Sequence, residues 1–259
     1  MSAGAQREPR GGELRGREPR GRADMHLHTL YSDGTMGVGD LLDHVERNTT
    51  LDLVAITDHE RIDGAQRARE IVEAGDYHFE VVIGEEITTR RGHLLGLYLT
   101  TRIPALRPLE ETIERIHAQG GIAVAAHPMA PLTPSLGHRS LVRLHHDPDP
   151  DHHLDAIELM NPSAAGRIRR GRRRRVNEEL LELAPLGNSD AHVLAGIGSG
   201  WTRFPGVTAD DYRAAVADKT TEPGGAYWSH WHNVTVYGRQ LIAKARHVRH
   251  ALRPSGEWR

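Results

Sequence analysis

The chain contains no cysteine. Disulfide staples and thiolate metal sites are therefore both excluded, and nothing calls for an oxidising compartment, so a cytoplasmic location is expected. Long hydrophobic runs are also missing. "LDLVAI" and "GIAVAA" are among the most apolar stretches, well short of the roughly 20 residues that span a bilayer. The first residues lack the apolar core of a secretion signal, and no membrane contact is expected. Charge of one sign is absent too: 33 Lys and Arg against 35 Asp and Glu leave a formal net charge of −2. Bulk electrostatics alone would not hold nucleic acid or an anionic membrane. Aromatic residues make up 5% of the chain, so rings for stacking bases are few.

With 259 residues and 38% hydrophobic content, the chain can bury the core of one large domain. Residues 1–22, "MSAGAQREPRGGELRGREPRGR", are rich in Arg, Gly, Glu and Pro and offer too little apolar surface to offset the entropy of ordering. They read as a disordered tail in which "REPRG" occurs twice, ahead of a domain over 23–259.

From Ala23 onward, short apolar runs alternate with helix-patterned segments, the pattern of parallel strands joined by crossover helices. Strands are predicted near 23–28, 52–57, 79–84, 121–126, 155–160 and 185–188, with a weaker one near 197–204. Helices are predicted over 38–47, 63–74, 107–119, 168–183 and 208–218, and a closing helix over 231–252. "TTRRGHLLGLYL" reads as extended structure with a turn at Arg91-Gly92. About seven such units favour an α/β barrel over an open sheet.

Parallel α/β folds collect their chemistry at the carboxyl ends of strands. The first run ends in His26 and His28, two apart and so on one face. "LVAIT" leads into Asp58 and His59, "VVIG" into Glu85 and Glu86, and "GIAVAA" into His127. "DAIELMN" ends with Glu158 and Asn161, and "LGNS" runs into Asp190 and His192. A histidine taken alone in a chain with 18 of them is a surface or hydrogen-bonded residue, which is the reading for His44, His78, His117, His145, His146, His152, His153, His247 and His250. His230 and His232 follow no clear strand and are left out of the site. The strand-end set is different. His, Asp and Glu without Cys suit Zn, Mn or Fe, and so many ligands exceed what one ion can use, implying two or three ions. Such a cluster fits in-line displacement at phosphorus.

In order, "HLHTLYSDG", "AITDH", "GEEIT" followed by "GH", "AHP" and "SDAH" resemble the PHP (polymerase and histidinol phosphatase) superfamily, and within it the stand-alone metal-dependent phosphoesterases. The match runs from about Met25 to His192 and fades beyond. The resemblance implies a distorted seven-stranded βα barrel, TIM-like, with a trinuclear site. By motif position, His26, His28, Glu86 and Asp190 would hold one ion, and Glu86 would bridge to a second held with His93 and His127. Asp33, His59 and His192 would hold the third. Glu85 is the fallback for Glu86, and Asp58 is expected to orient a ligating histidine. A metal-bound hydroxide would attack phosphorus, with catalysis carried by His26, His28, Glu86 and Asp190. Manganese is the first expectation for the ion, with zinc or iron as alternatives.

"GRIRRGRRRR", Gly166 to Arg175, packs seven arginines beside the end of the "DAIELMN" run. Two readings stay open: a solvated helix face, or an anion contact in which Arg167 meets a substrate phosphate. Asn161 is a second candidate substrate contact. Small phosphomonoesters or nucleotides rank first as substrates. A 5'-3' exonuclease on short RNA or DNA oligonucleotides ranks below them, followed by a non-catalytic scaffold or binding module and by hydrolysis of a C–N or C–O bond. No obligate protein partner is evident.

Overall fold

The computed structural model describes residues 20–228. Most of the expected tail, the expected helix over 231–252, and His230 and His232 lie outside the described residues.

The described residues open with β1 (Arg20–Leu27), so residues 20–22, assigned by composition to the tail, belong to the fold. Then come α1 (Val38–Asn48), β2 (Leu53–Ile56), α2 (Asp63–Ala74), β3 (Glu80–Thr89) and β4 (Gly92–Leu97). They are followed by α3 (Leu109–His117), β5 (Ile122–Ala125), α4 (His138–His145), β6 (Ala156–Met160), α5 (Ala164–Arg167) and α6 (Arg170–Val176). The described chain ends with β7 (Ala184–Gly187), β8 (Gly200–Pro205), α7 (Ala209–Ala217) and β9 (Glu222–Gly225). No helix among these residues is long and apolar enough to cross a membrane.

Among the described residues, nine strands form one sheet in the order β7-β6-β5-β4-β3-β2-β1-β8-β9. The expected seven become nine because β3 and β4 form a hairpin and β8 and β9 a second one. The sheet is therefore mixed. β1, β2 and β3 pair in parallel, as do β5, β6 and β7, while β4 and β8 run antiparallel to their neighbours. The β3–β4 turn falls at Arg90-Arg91, with Gly92 at φ 133°, a conformation that side-chain-bearing residues rarely adopt.

The two ends of the sheet approach each other and nearly close a barrel. Thr202 of β8 stitches them: its hydroxyl donates to the carbonyl of Gly187 at the end of β7 (2.9 Å) and accepts from the Gly187 N–H (3.0 Å). Inward-facing Ala23, Met25, Ala55, Leu95, Val124 and Phe204 fill the interior. The alternate residues face the helices, where Leu41, Leu42 and Val45 of α1 are fully buried. Burying each such aliphatic side chain stabilises the fold by roughly 1.5–3 kcal/mol.

The helix expected over 168–183 is broken. Arg169 sits at φ 57° between α5 and α6, and Asn177–Leu181 widen into a π turn. β9 and α4 escape the sequence reading. "EPGG" has no strand-forming residue and is extended because it pairs with β8, whereas α4 is short and buries only Leu141 and Leu144.

Candidate metal centre

The carboxyl ends of the parallel strands carry the cluster. His26 and His28 lie on one face at the end of β1, with Leu27 between them packed outward against the α1 side. His28 N–H donates to Ala191 O (3.0 Å) and Ala191 N–H to His26 O (3.3 Å), which draws the 189–192 segment alongside β1. His59 follows β2 and bridges to Glu86. Glu86 lies within β3 rather than beyond its end, and His93 comes from the partner strand β4. His127 and Asp190 hold left-handed backbone, φ 29° and 54°, at the turns after β5 and β7. Such strained conformations persist where the surrounding structure imposes them.

All nine positions expected as metal ligands converge. Glu86 Oε1 accepts from His93 (Nδ1, 2.7 Å) and His127 (Nε2, 3.0 Å). Its Oε2 faces His26 and His28 at 3.2 Å and His59 at 3.4 Å. Asp190 Oδ1 lies 3.5 Å from His26, 3.4 Å from His28 and 3.6 Å from His192. Asp33 Oδ1 lies 3.0 Å from His192, 3.7 Å from His59 and 3.8 Å from His28.

These residues fall into overlapping groups whose ligand atoms lie within 4.8 Å of one another. They are His26, His28 and Asp190; His26, Glu86 and His127; His59, Glu86 and His93; and His28, Asp33, His59 and His192. An ion bonded at about 2.0–2.2 Å to N and O atoms fits such spacings. His26 Nε2 and both ring nitrogens of His28 are buried without a hydrogen bond. Buried polar atoms are nearly always partnered, so these orphaned nitrogens fit a cation that the donor set would accept.

The electrostatics agree. Burial opposes a charged His26, yet the carboxylates of Asp190, Glu158 and Glu86 outweigh it and hold the imidazole well above its usual range. His28 is raised to about 10, again against burial, by Asp190, Glu86 and Asp33. Burial would raise Glu86 and Asp190, but the surrounding histidines keep both carboxyls below the usual carboxylate range. The pocket thus favours positive charge next to its carboxylates. A divalent cation supplies that charge without protonating the imidazoles.

Around this set stands a layer that the sequence reading did not assign. Glu158 is wholly buried: Oε1 pairs with His26 Nδ1 (2.9 Å) and accepts from Asn188 Nδ2 (2.8 Å), and Oε2 accepts from the His127 N–H (2.7 Å). Glu158, rather than Asp58, makes the hydrogen bond to a candidate ligand histidine. Asp58 instead accepts from the Thr29 N–H (2.7 Å), the Thr29 hydroxyl (2.6 Å) and the Ser32 hydroxyl (2.5 Å), so it fixes the loop that presents Asp33. Glu85, the fallback ligand, points away and accepts from the Ile103 N–H (2.9 Å).

Asn161, expected to touch substrate, is buried. Its amide donates to Asp190 Oδ2 (3.3 Å) and its carbonyl accepts from Ser163. Arg167 is exposed, with its guanidinium 5.7 Å from the Tyr227 ring. Among the histidines left out of the site, His78 pairs with Glu46 and His117 with Asp155, as surface histidines do. A cavity of about 520 Å³ opens at the other end of the barrel, between Ile122, Leu141, Leu154 and Val216, and holds none of the ligand set.

Comparison with known proteins follows the same line. The PHP-associated family model matches residues 174–221, which include Asp190 and His192 and continue through β8 and α7, so the resemblance does not fade at His192. The uncharacterized protein MJ1587 of Methanocaldococcus jannaschii is 36% identical over 154 residues, covering 54% of this chain and 81% of that one. Among solved structures, one is a two-domain protein from Bacteroides vulgatus containing a predicted PHP-like metal-dependent phosphoesterase. It aligns with TM-score 0.66 and 18% identity over 81% of this chain and 66% of its own, so this chain spans just under two thirds of it. Another, from Bifidobacterium adolescentis, carries the name of a metal-dependent phosphoesterase and aligns with TM-score 0.56 and 19% identity over 78% of this chain and 98% of its own. In its motifs, its barrel and the PHP-associated match over residues 174–221, the chain is similar to the PHP superfamily.

Proposed function

We propose that the protein is a metal-dependent phosphoesterase acting on small phosphomonoesters or nucleotides. The observation that carries this reading is the Glu86 carboxylate, faced by five imidazoles with a different set on each oxygen. A carboxylate so placed is suited to bridging two cations, the arrangement that clamps the oxygens of an in-line displacement.

In this reading His26, His28, Glu86 and Asp190 hold one ion, Glu86, His93 and His127 a second, and Asp33, His59 and His192 a third. Bound divalent ions supply a water acidified to near neutral pH and neutralise phosphoryl oxygens. The remaining work falls to the chain. Glu158 keeps the proton of His26 on Nδ1, leaving Nε2 as an electron-pair donor into the centre. Asn161 holds Asp190 through Oδ2 and leaves Oδ1 directed at the histidines. Manganese is the first candidate for the ion, and zinc and iron, which imidazole donors favour, are the alternatives.

The test is inorganic phosphate release from a panel of nucleotides and sugar phosphates with added Mn. His26→Ala and Asp190→Ala are expected to lower release at least about a hundredfold, the scale on which metal-site defects act. Full activity in both variants would overturn the assignment.

A further inference from the structure

Asp24 is wholly buried in β1, two positions before His26, and belongs to none of the candidate ligand groups. A carboxyl group withdrawn from water is costly unless its oxygens find donors, and both of these do. Oδ1 accepts from the Ser189 N–H (2.9 Å) and Oδ2 from the Gly198 N–H (2.9 Å). Those two donors bracket the segment that carries Asp190 and His192, so one side chain draws both ends of the segment to the same point.

The rest of the segment is pinned to the same strand. Ala191 pairs with Leu27, and Asn188, just ahead of the segment, accepts from the Met25 N–H (2.9 Å). Of these contacts, the two at Asp24 are the ones that a β1 side chain makes. Asp190 keeps its left-handed backbone, φ 54°, inside this closed segment, the kind of conformation that persists only where its surroundings impose it.

The segment in turn steadies the loop after β1. The Thr35 N–H and the Thr35 hydroxyl both donate to His192 O (2.9 Å each), and Asp33 Oδ1 lies 3.0 Å from His192 Nε2. None of these bonds reaches Glu86, His93 or His127. Glu86 and His93 come from the β3–β4 hairpin, and His127 from the turn after β5.

We propose that Asp24 is a positioning residue that closes the 189–198 segment and, through Asp190 and His192, sets the affinity for the two ions those residues would hold. The ion assigned to Glu86, His93 and His127 is independent of it. The inference rests on the phosphoesterase reading and adds to it a residue that touches no ion.

The experiment is a calorimetric titration of metal-stripped protein with Mn, for wild type, Asp24→Asn and Asp24→Ala. Asparagine has the same shape but one acceptor oxygen, and its NH2 would face the other N–H, whereas alanine accepts from neither. The wild type should take up two or three equivalents. In Asp24→Asn the equivalents assigned to Asp190 and His192 should weaken about 10–100-fold, as loss of an orienting partner does. They should weaken further in Asp24→Ala, while one equivalent keeps the wild-type affinity in both. Leu144→Ala, a core truncation in α4 at the other end of the barrel, should lower the thermal midpoint and leave the isotherm unchanged. Amide hydrogen exchange in the metal-stripped wild type needs no variant, and the Ser189 and Gly198 N–H groups should be protected. A wild type that takes up no metal overturns the phosphoesterase reading, and this inference with it. Failure of the inference alone shows in a wild type that binds metal: both variant isotherms match it, every equivalent weakens equally, or either amide exchanges like an exposed one.

Discussion

Changing Glu86 to glutamine keeps the shape of the side chain and removes the charge that five imidazoles face. The expected outcome is a loss of bound metal, read by elemental analysis. Glu85→Gln should retain it, because Glu85 turns toward the Ile103 N–H. The same variant has a pH signature. Burial pushes Glu85 up to about 7, with Glu60 adding to the rise and Ile103 and Arg102 opposing it. The unfolded chain ionises this group near its ordinary value of about 4.3. Between there and about 7 the folded state holds the extra proton, so this group's contribution to stability falls as pH rises. The thermal midpoint of Glu85→Gln relative to wild type should therefore rise from pH 4.5 to pH 7 and level off above. A gap that does not change with pH would remove this account of Glu85. Glu158→Gln should weaken metal affinity or activity about 10–100-fold, as loss of an orienting partner does. The candidate ligands stand at motif positions in the sequence, and the fold brings all nine into one cluster. Glu158 was seen at its strand end without a role, because its partner His26 is 132 positions away and only the barrel brings the two together.

At the scale of elements, the β3–β4 hairpin delivers Glu86 and His93 to one place, and its geometry depends on Gly92. A Cβ there would collide with the Ser135–Leu136 backbone, in a conformation already costly for other residues. Gly92→Ala should destabilise the fold by about 2 kcal/mol or more, measured by denaturant unfolding. Activity should fall with it, since His93 is the next residue. The turn was readable from the Arg91-Gly92 pair, but the antiparallel pairing was not, since alternating apolar runs do not state strand direction. The broken helix after β6 has a similar explanation. Seven neighbouring arginines look alike in sequence, and only the carbonyls of Pro128, Leu159 and Gly166 single out Arg173. Arg173→Met leaves those carbonyls without this donor and should cost about 3 kcal/mol or more. The seven-arginine stretch thus holds a structural bolt as well as a charged face.

For the whole molecule, the barrel gathers three carboxylates and six imidazoles from its strands and the loops beside them into one cluster, and that crowding makes cations part of the expected stability. Chelation should lower the thermal midpoint, and adding back metal at a thousandfold over its dissociation constant should restore about 4 kcal/mol per ion. The fold class was legible because the ends of most apolar runs carry His, Asp or Glu, a pattern that a parallel-strand architecture makes coherent. The strand count was not, since β9 is extended through its pairing with β8 rather than through its own composition. The most direct test of the central claim is a titration of metal-stripped protein with Mn while phosphate release from a small phosphomonoester is followed, for wild type and Asp190→Ala. Release should appear only on metal addition, saturate after two or three equivalents per chain, and be lost in the variant. Undiminished release after stripping, or in Asp190→Ala, would contradict it.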